Sequence, residues 1–286
     1  MSADARGNVF ITGAAAGIGA AVTRRLAGDG YTVYAGVHSD AGSLDRIAGV
    51  NPVPIDVTDP ASVAAAAEQL AERVSGQAGG QAGGSGLRAL INNAGIILQG
   101  PVELMAPPDL ERQFAVNTLG PAYAVKAFLP LLRAGGGRVI NISAPTARVA
   151  LPYLAALSGS KAALSAMSDA LRLELAGWNI PVIVVEPGAT DTRIFAKAEA
   201  AATISLKSVD PVQVALYERP LAAIAAATAR QRTASVDPVA RTIATAVRAA
   251  NPKRHYASGI EARMAGVLAG FPAGLKERLI TRLLGL

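Results

Sequence analysis

Short runs rich in Val and Ile recur along the chain as NVFIT, TVYAGV, PVPIDV, RALINN, GRVINIS and IPVIVVE, and amphipathic stretches follow most of them. That rhythm constrains the fold more than any other feature. Strands joined by helical crossovers run parallel, and a parallel sheet is covered by helices on both faces. The expectation is an α/β fold of the doubly wound Rossmann type, with all 286 residues in a single domain. Half of the residues are hydrophobic but only 4% are aromatic, which suits alanine-rich helices lying close on a sheet.

Helix boundaries fit this reading. Asp59 followed by Pro60 has the form of an N-cap with proline at the first helical position, and Val63, Ala66, Ala67, Leu70, Ala71 and Val74 then repeat at helical spacing. Asp237 and Pro238 open a second such segment, and Leu164, Met167, Leu171 and Leu175 mark the buried side of a helix carrying Lys161. Residues 76–86, GQAGGQAGGSG, have no apolar anchor and are expected as a flexible surface connection. Residues 189–232 are expected to form the substrate pocket and its lid; Ile194, Phe195, Ile204, Leu206, Val214 and Leu216 suggest a medium-sized apolar ligand. The basic amphipathic end, RMAGVLAGFPAGLKERLITRLLGL, is expected to pack on the domain or on a second subunit, with a membrane surface as the alternative.

Several function classes are disfavoured. The formal charge is +6, but Lys and Arg are scattered rather than gathered into a stripe with aromatics, so no nucleic-acid partner is expected. Cysteine is absent and His38 and His255 are far apart in sequence, so no metal site is expected. No apolar run reaches the ~18 residues of a membrane span, and no signal-like segment precedes the first strand. A cytoplasmic protein, assembled as a homodimer or homotetramer, is the expectation.

The glycines Gly13, Gly17 and Gly19 in TGAAAGIG directly follow the first strand and open a helix. Glycine there permits a tight turn and lets the unpaired N–H groups of the helix start face a pyrophosphate. With TGAAAGIG stand DVTD (Asp56 to Asp59), NNAG (Asn92 to Gly95), VNTLG (Val116 to Gly120), SGSK (Ser158 to Lys161) and PGATDT (Pro187 to Thr192). In their order and spacing these motifs resemble the short-chain dehydrogenase/reductase family over nearly the whole chain; RVALPYL and the C-terminal third look most like its retinol and hydroxysteroid dehydrogenase branch.

The resemblance implies that Gly13, Gly17, Ile18 and Gly19 cradle a dinucleotide, that Asp56 and Val57 hold the adenine, and that Asn93 and Gly95 line the adenosine side. It places Pro187, Gly188 and Thr192 near the carboxamide or phosphate end and Lys161 on the nicotinamide ribose. Where an NAD enzyme of this kind carries an acid at the end of the second strand, this chain has Val37, followed by His38 where an NADP enzyme places an arginine. NADP(H) is favoured, with NAD(H) as the alternative.

The family pattern also has a tyrosine four residues before the lysine and a serine thirteen residues before that tyrosine. Here those positions are Leu157 and Ala144, while Asn117 and Lys161 of the same tetrad remain. Neither leucine nor alanine can protonate an alkoxide or hydrogen-bond to it. Tyr153 lies four residues before Leu157; on a continuous helix it would share that face, about 6 Å further along the axis. It is expected as an aromatic wall of the pocket, with a relocated acid as the alternative. The candidate catalytic residues are Lys161, Asn117 and Tyr153. Three functions stay open: reduction of a C=N, C=C or carbonyl group without the usual acid pair; a non-redox cyclase, dehydratase or isomerase; and a catalytically silent nucleotide-binding protein.

Overall fold

The computed structural model describes residues 6–76, 86–192, 194–206, 208–229 and 233–285. Most of the Gly-rich connection expected at 76–86 lies outside the described residues, as do positions 193, 207 and 230–232 of the expected lid. The chain begins with β1 (Asn8–Ile11), α1 (Gly17–Gly28), β2 (Thr32–Val37), β3 (Val50–Pro54), α2 (Pro60–Gly76) and β4 (Leu87–Asn92). It continues through α3 (Pro107–Phe114), a wide π turn (Ala115–Leu119), α4 (Gly120–Ala134), β5 (Val139–Ile142), α5 (Ala155–Glu174) and β6 (Val182–Pro187). The remaining elements are α6 (Ile194–Leu206), α7 (Pro211–Ala215), α8 (Glu218–Ala229), α9 (Asp237–Arg248), β7 (His255–Ser258), α10 (Ile260–Leu268) and α11 (Ala273–Leu284).

All seven strands form one parallel sheet in the order β3-β2-β1-β4-β5-β6-β7. The order reverses between β1 and β4, which opens a crevice beyond their carboxyl ends. The period of two along each strand divides the core. Val9 and Ile11 of β1 face α1 and α9, joining Val22, Leu26, Ile243 and Val247. Phe10 faces the other way into a cluster with Val63, Leu70, Phe128 and Leu132 of α2 and α4, and its ring lies 4.3 Å from that of Phe128.

The doubly wound expectation therefore holds, with one strand more than the Val/Ile runs marked. Sequence HYAS of β7 lacks such a run because it is a four-residue edge strand with only Ser258 fully buried. The Asp59 cap is present, its carboxylate accepting from the Ala61 N–H at 2.9 Å. At α9 the helix includes Asp237 in its first turn and Val236 takes the cap position, one residue earlier than the Asp-Pro pattern implies. Helix α11 rests on α8 and has no fully buried residue among those described.

Candidate nucleotide-binding and active site

The crevice is built by the loop after β1 meeting the loop after β4. Thr12 at the end of β1 turns its hydroxyl to accept from the N–H groups of Asn93 and Ala94, both at 3.0 Å. In return, the Asn93 side-chain amide donates to the carbonyls of Thr12 at 2.9 Å and Gly13 at 3.0 Å. This exchange fixes the glycine loop to the neighbouring strand.

The glycines are needed for two different reasons. Gly13 and Gly17 have φ of +65° and +52°, in the left-handed region that favours glycine. Gly19 is helical, but a Cβ there would lie 2.1 Å from the Gly13 carbonyl oxygen and 2.7 Å from the Asn93 amide nitrogen. Its glycine is thus required by the loop's own closure, before any ligand is considered. Ile18, between them, packs against the core beneath α1. The start of α1 has Ala16 at its cap position, with no side-chain cap and no acid in the first turn. Its first N–H groups remain available, a donor set that fits an anionic pyrophosphate.

Across this opening, a Cβ at Gly17 would come within 3.1 Å of the Thr192 methyl, so the segment after β6 reaches back to the glycine loop. Pro187 ends β6, the Gly188 N–H donates to the Ser258 carbonyl at 2.6 Å, and the Thr190 hydroxyl donates to the Gly188 carbonyl at 2.8 Å. Just after β3, Asp56 accepts from the Thr58 hydroxyl at 2.7 Å and the Thr58 N–H at 2.9 Å, and these bonds hold its carboxyl below the usual carboxylate range. His38 is exposed at the end of β2, with its Nε2 3.6 Å from the other Asp56 oxygen. Val57 packs against Gly120, where a Cβ would approach it to 3.0 Å.

A second cluster of polar side chains lies where β4, the π turn and α5 converge. A π turn widens the helix by one residue and frequently marks functional sites. Here it turns Asn117 inward, so that its Oδ1 accepts from the Ile96 N–H at 2.9 Å while its Nδ2 donates to the Ile96 carbonyl at 3.0 Å and Ser160 Oγ at 3.2 Å. Gly95 leaves room beside it, since a Cβ there would lie 3.3 Å from Asn117 Oδ1 and 3.5 Å from Lys161 Nζ. Asn93, Gly95, Asn117 and Lys161 are therefore brought together.

Lys161 is buried on α5 and donates from Nζ to the Ile142 carbonyl at 2.7 Å. Burial pushes its pKa down to about 8. One turn earlier Leu157 is also buried, and Ala144 follows β5 in an extended conformation. Ser143, next to Ala144, is turned away and shares a 3.0 Å hydrogen bond with Ser165.

Tyr153 does not share the helical face of Leu157, because α5 begins only at Ala155. It sits outside the helix with φ of +61°, uncommon for a residue with a side chain, and its carbonyl accepts from the Gly100 N–H at 2.8 Å. Its ring stands edge-on to Tyr217 at 6.4 Å, and the Tyr217 hydroxyl donates to Glu103 at 2.6 Å. These contacts link the loop before α5, the segment after β4 and the segment before α8.

Sequence reasoning missed the ion pair beneath the site. Glu186 near the end of β6 is buried and accepts from Arg148 Nε at 2.7 Å, and Arg148 Nη2 lies 3.0 Å from His255 Nδ1 on β7. An acid closing an otherwise apolar strand was the available signal, since a buried carboxylate requires a partner. Gln113 was missed as well; its side chain bridges the Leu98 N–H and the Ile96 carbonyl at 2.7 and 2.9 Å.

Comparisons with known proteins point to one family and one fold. Human retinol dehydrogenase 5 is 32% identical in an alignment covering 96% of this chain and 87% of that protein. A 3-amino-tetrahydro-pyrrolizinone reductase of Xenorhabdus hominickii is 33% identical over 192 residues, 67% of this chain and 64% of that enzyme's length. A crystal structure of a short chain dehydrogenase from Burkholderia cenocepacia J2315 in complex with NADP superposes with a TM-score of 0.71 at 29% identity, covering 98% of this chain and all of that one. Residues 7–203 match the family model for short chain dehydrogenase, and the chain belongs to that family.

Proposed function

We propose that the chain binds a reduced nicotinamide dinucleotide, NADPH in preference to NADH, and works as an atypical reductase of a C=N, C=C or carbonyl group in a medium-sized apolar substrate. One contrast carries the reading. The glycine loop, Asn93, Asn117, Lys161 and Thr192 meet around one crevice, while Leu157 and Ala144 stand where the resemblance places the tyrosine and serine.

The dinucleotide would supply the hydride. The N–H groups at the start of α1 would face its pyrophosphate, Asp56 its adenine and Lys161 its ribose. With Val37 at the end of β2 in place of an acid, nothing at that position repels a 2′-phosphate. The chain would act as one domain, with the described parts of 189–229 bordering the cleft.

Leu157 and Ala144 offer no proton and no oxyanion donor, so the preferred substrate is one that needs neither. An iminium already carries its positive charge, and a conjugated alkene can take its proton from water. The Xenorhabdus relative, named for reduction of a nitrogen heterocycle, supports this choice of substrate class.

Calorimetry should show micromolar NADPH binding, weaker for NADH, with Val37→Asp reversing the preference. A panel of imines, enones and carbonyls should then show substrate-dependent loss of the reduced-nicotinamide absorbance. Turnover without that loss would establish a non-redox enzyme, and binding alone a silent nucleotide-binding protein. In the variant Leu157→Tyr with Ala144→Ser, reduction of simple ketones or aldehydes should rise by at least about tenfold, a small part of the ~10²–10⁴ that a placed acid contributes. A folded, cofactor-binding double variant with no gain would show that more than the acid has changed.

A further inference from the structure

We propose that helices α10 and α11 dock the protein on an anionic lipid surface, lying along it rather than crossing it. Helix α10 turns Ala262 and Ala265 inward and leaves Ile260, Met264 and Val267 outward, the last 66% exposed, with Arg263 on the same side. Helix α11 repeats the arrangement. Leu275, Leu279 and Leu283 are four residues apart and exposed, Leu283 to 81%, with Arg278 and Arg282 flanking the row. Leu275 and Leu279 are 46% and 42% exposed, and Lys276, Ile280 and Leu284, about 100° round the helix, form its more covered flank.

A twelve-residue helix with so little cover is marginal in water, so the row needs a counter-surface. A second copy fits poorly. Two α11 rows packed antiparallel about a two-fold axis would bring the Arg278 and Arg282 flank against its own copy, and Glu277 projects from the opposite side of the helix. An anionic bilayer surface satisfies both parts: leucines enter the acyl boundary while arginines reach the headgroups. Among the described residues no helix is long and apolar enough to cross a membrane, which leaves the surface orientation.

The consequence concerns loading. Helix α11 rests on α8, which belongs to the segment expected to border the cleft, so docking holds that segment at the layer where apolar molecules concentrate. Docking itself does not depend on the proposed reductase activity.

The full chain should co-float with vesicles of phosphatidylcholine mixed with phosphatidylglycerol, bind phosphatidylcholine vesicles at least about tenfold less, and be released by salt. Leu279→Glu with Leu283→Glu, and separately Arg278→Glu with Arg282→Glu, should each lower bound protein about tenfold or more while NADPH affinity and circular dichroism stay unchanged. Three results would each overturn the proposal: no binding of the parent to anionic vesicles, either variant binding as the parent does, or a leucine variant whose sole effect is to turn a dimer into a monomer in sedimentation.

Discussion

Replacing Lys161 with Met tests whether its ammonium is kept for a ligand or for the fold. Burial takes the lysine from an ordinary value of 10.5 to about 8, and its bond to the Ile142 carbonyl does not make up for the water it has lost. At about 1.4 kcal/mol per tenfold, keeping it charged at neutral pH costs the folded chain about 3 kcal/mol. The sign follows from proton uptake. Between about 8 and 10.5 the unfolded chain holds the proton and the folded chain does not, so stability is full above 10.5 and is lost as pH falls toward about 8. Methionine fills the same space without charge. Allowing for the lost hydrogen bond, Lys161→Met should raise the urea unfolding free energy of the ligand-free protein by about 1–3 kcal/mol at neutral pH. The gain should shrink as pH rises beyond about 8, and calorimetry should show weaker NADPH binding throughout. A variant less stable than the parent at neutral pH, by a margin that does not change up to high pH, would refute this reasoning. The fold itself would then compensate the ammonium.

Gly19→Ala should disrupt the glycine loop, because the added methyl meets the Gly13 carbonyl oxygen at 2.1 Å. Calorimetry should find NADPH binding abolished, with thermal unfolding showing a loss of about 1–3 kcal/mol. Arg148→Met leaves the Glu186 carboxylate buried without its partner and should cost about 2 kcal/mol by chemical denaturation, a discounted figure because Arg148 is partly exposed; Arg148→Lys should recover part of it. Burial first, and Arg148 next among the lowering influences, hold His255 below its ordinary 6.5. The unfolded chain therefore takes up the proton first, and the parent should lose stability as pH falls below 6.5 while His255→Gln shows a flatter profile.

The parallel sheet and the glycine loop after β1 were legible because each rests on a local rule. Val/Ile runs bounded by helices imply parallel strands, and glycines between β1 and α1 imply a tight turn. What remained hidden depends on tertiary context. Edge strand β7 pairs through its backbone and needs no long apolar run. Tyr153 gives no hint of its positive φ, or of the hydrogen bond its carbonyl accepts from Gly100 in the loop after β4. The carbonyl that Lys161 meets lies at the end of another strand, and the Arg148–Glu186–His255 cluster joins the loop after β5 to β6 and β7. Such contacts are set by the order of strands in the sheet rather than by neighbours in sequence.

The π turn at Ala115–Leu119 bears on how this chain can vary. It holds one residue more than a regular helix would, and that surplus aims Asn117 at Ile96 while α4 keeps Ala124, Val125, Phe128 and Leu132 against the sheet. Deleting any one residue of the turn would regularise the helix but rotate one side of it by about 100° relative to the other. Either Asn117 or the α4 core would then be displaced. Substitution at the exposed Leu119 leaves this geometry in place, whereas a change in the length of the turn requires a second, simultaneous change in the helix or in the sheet it covers.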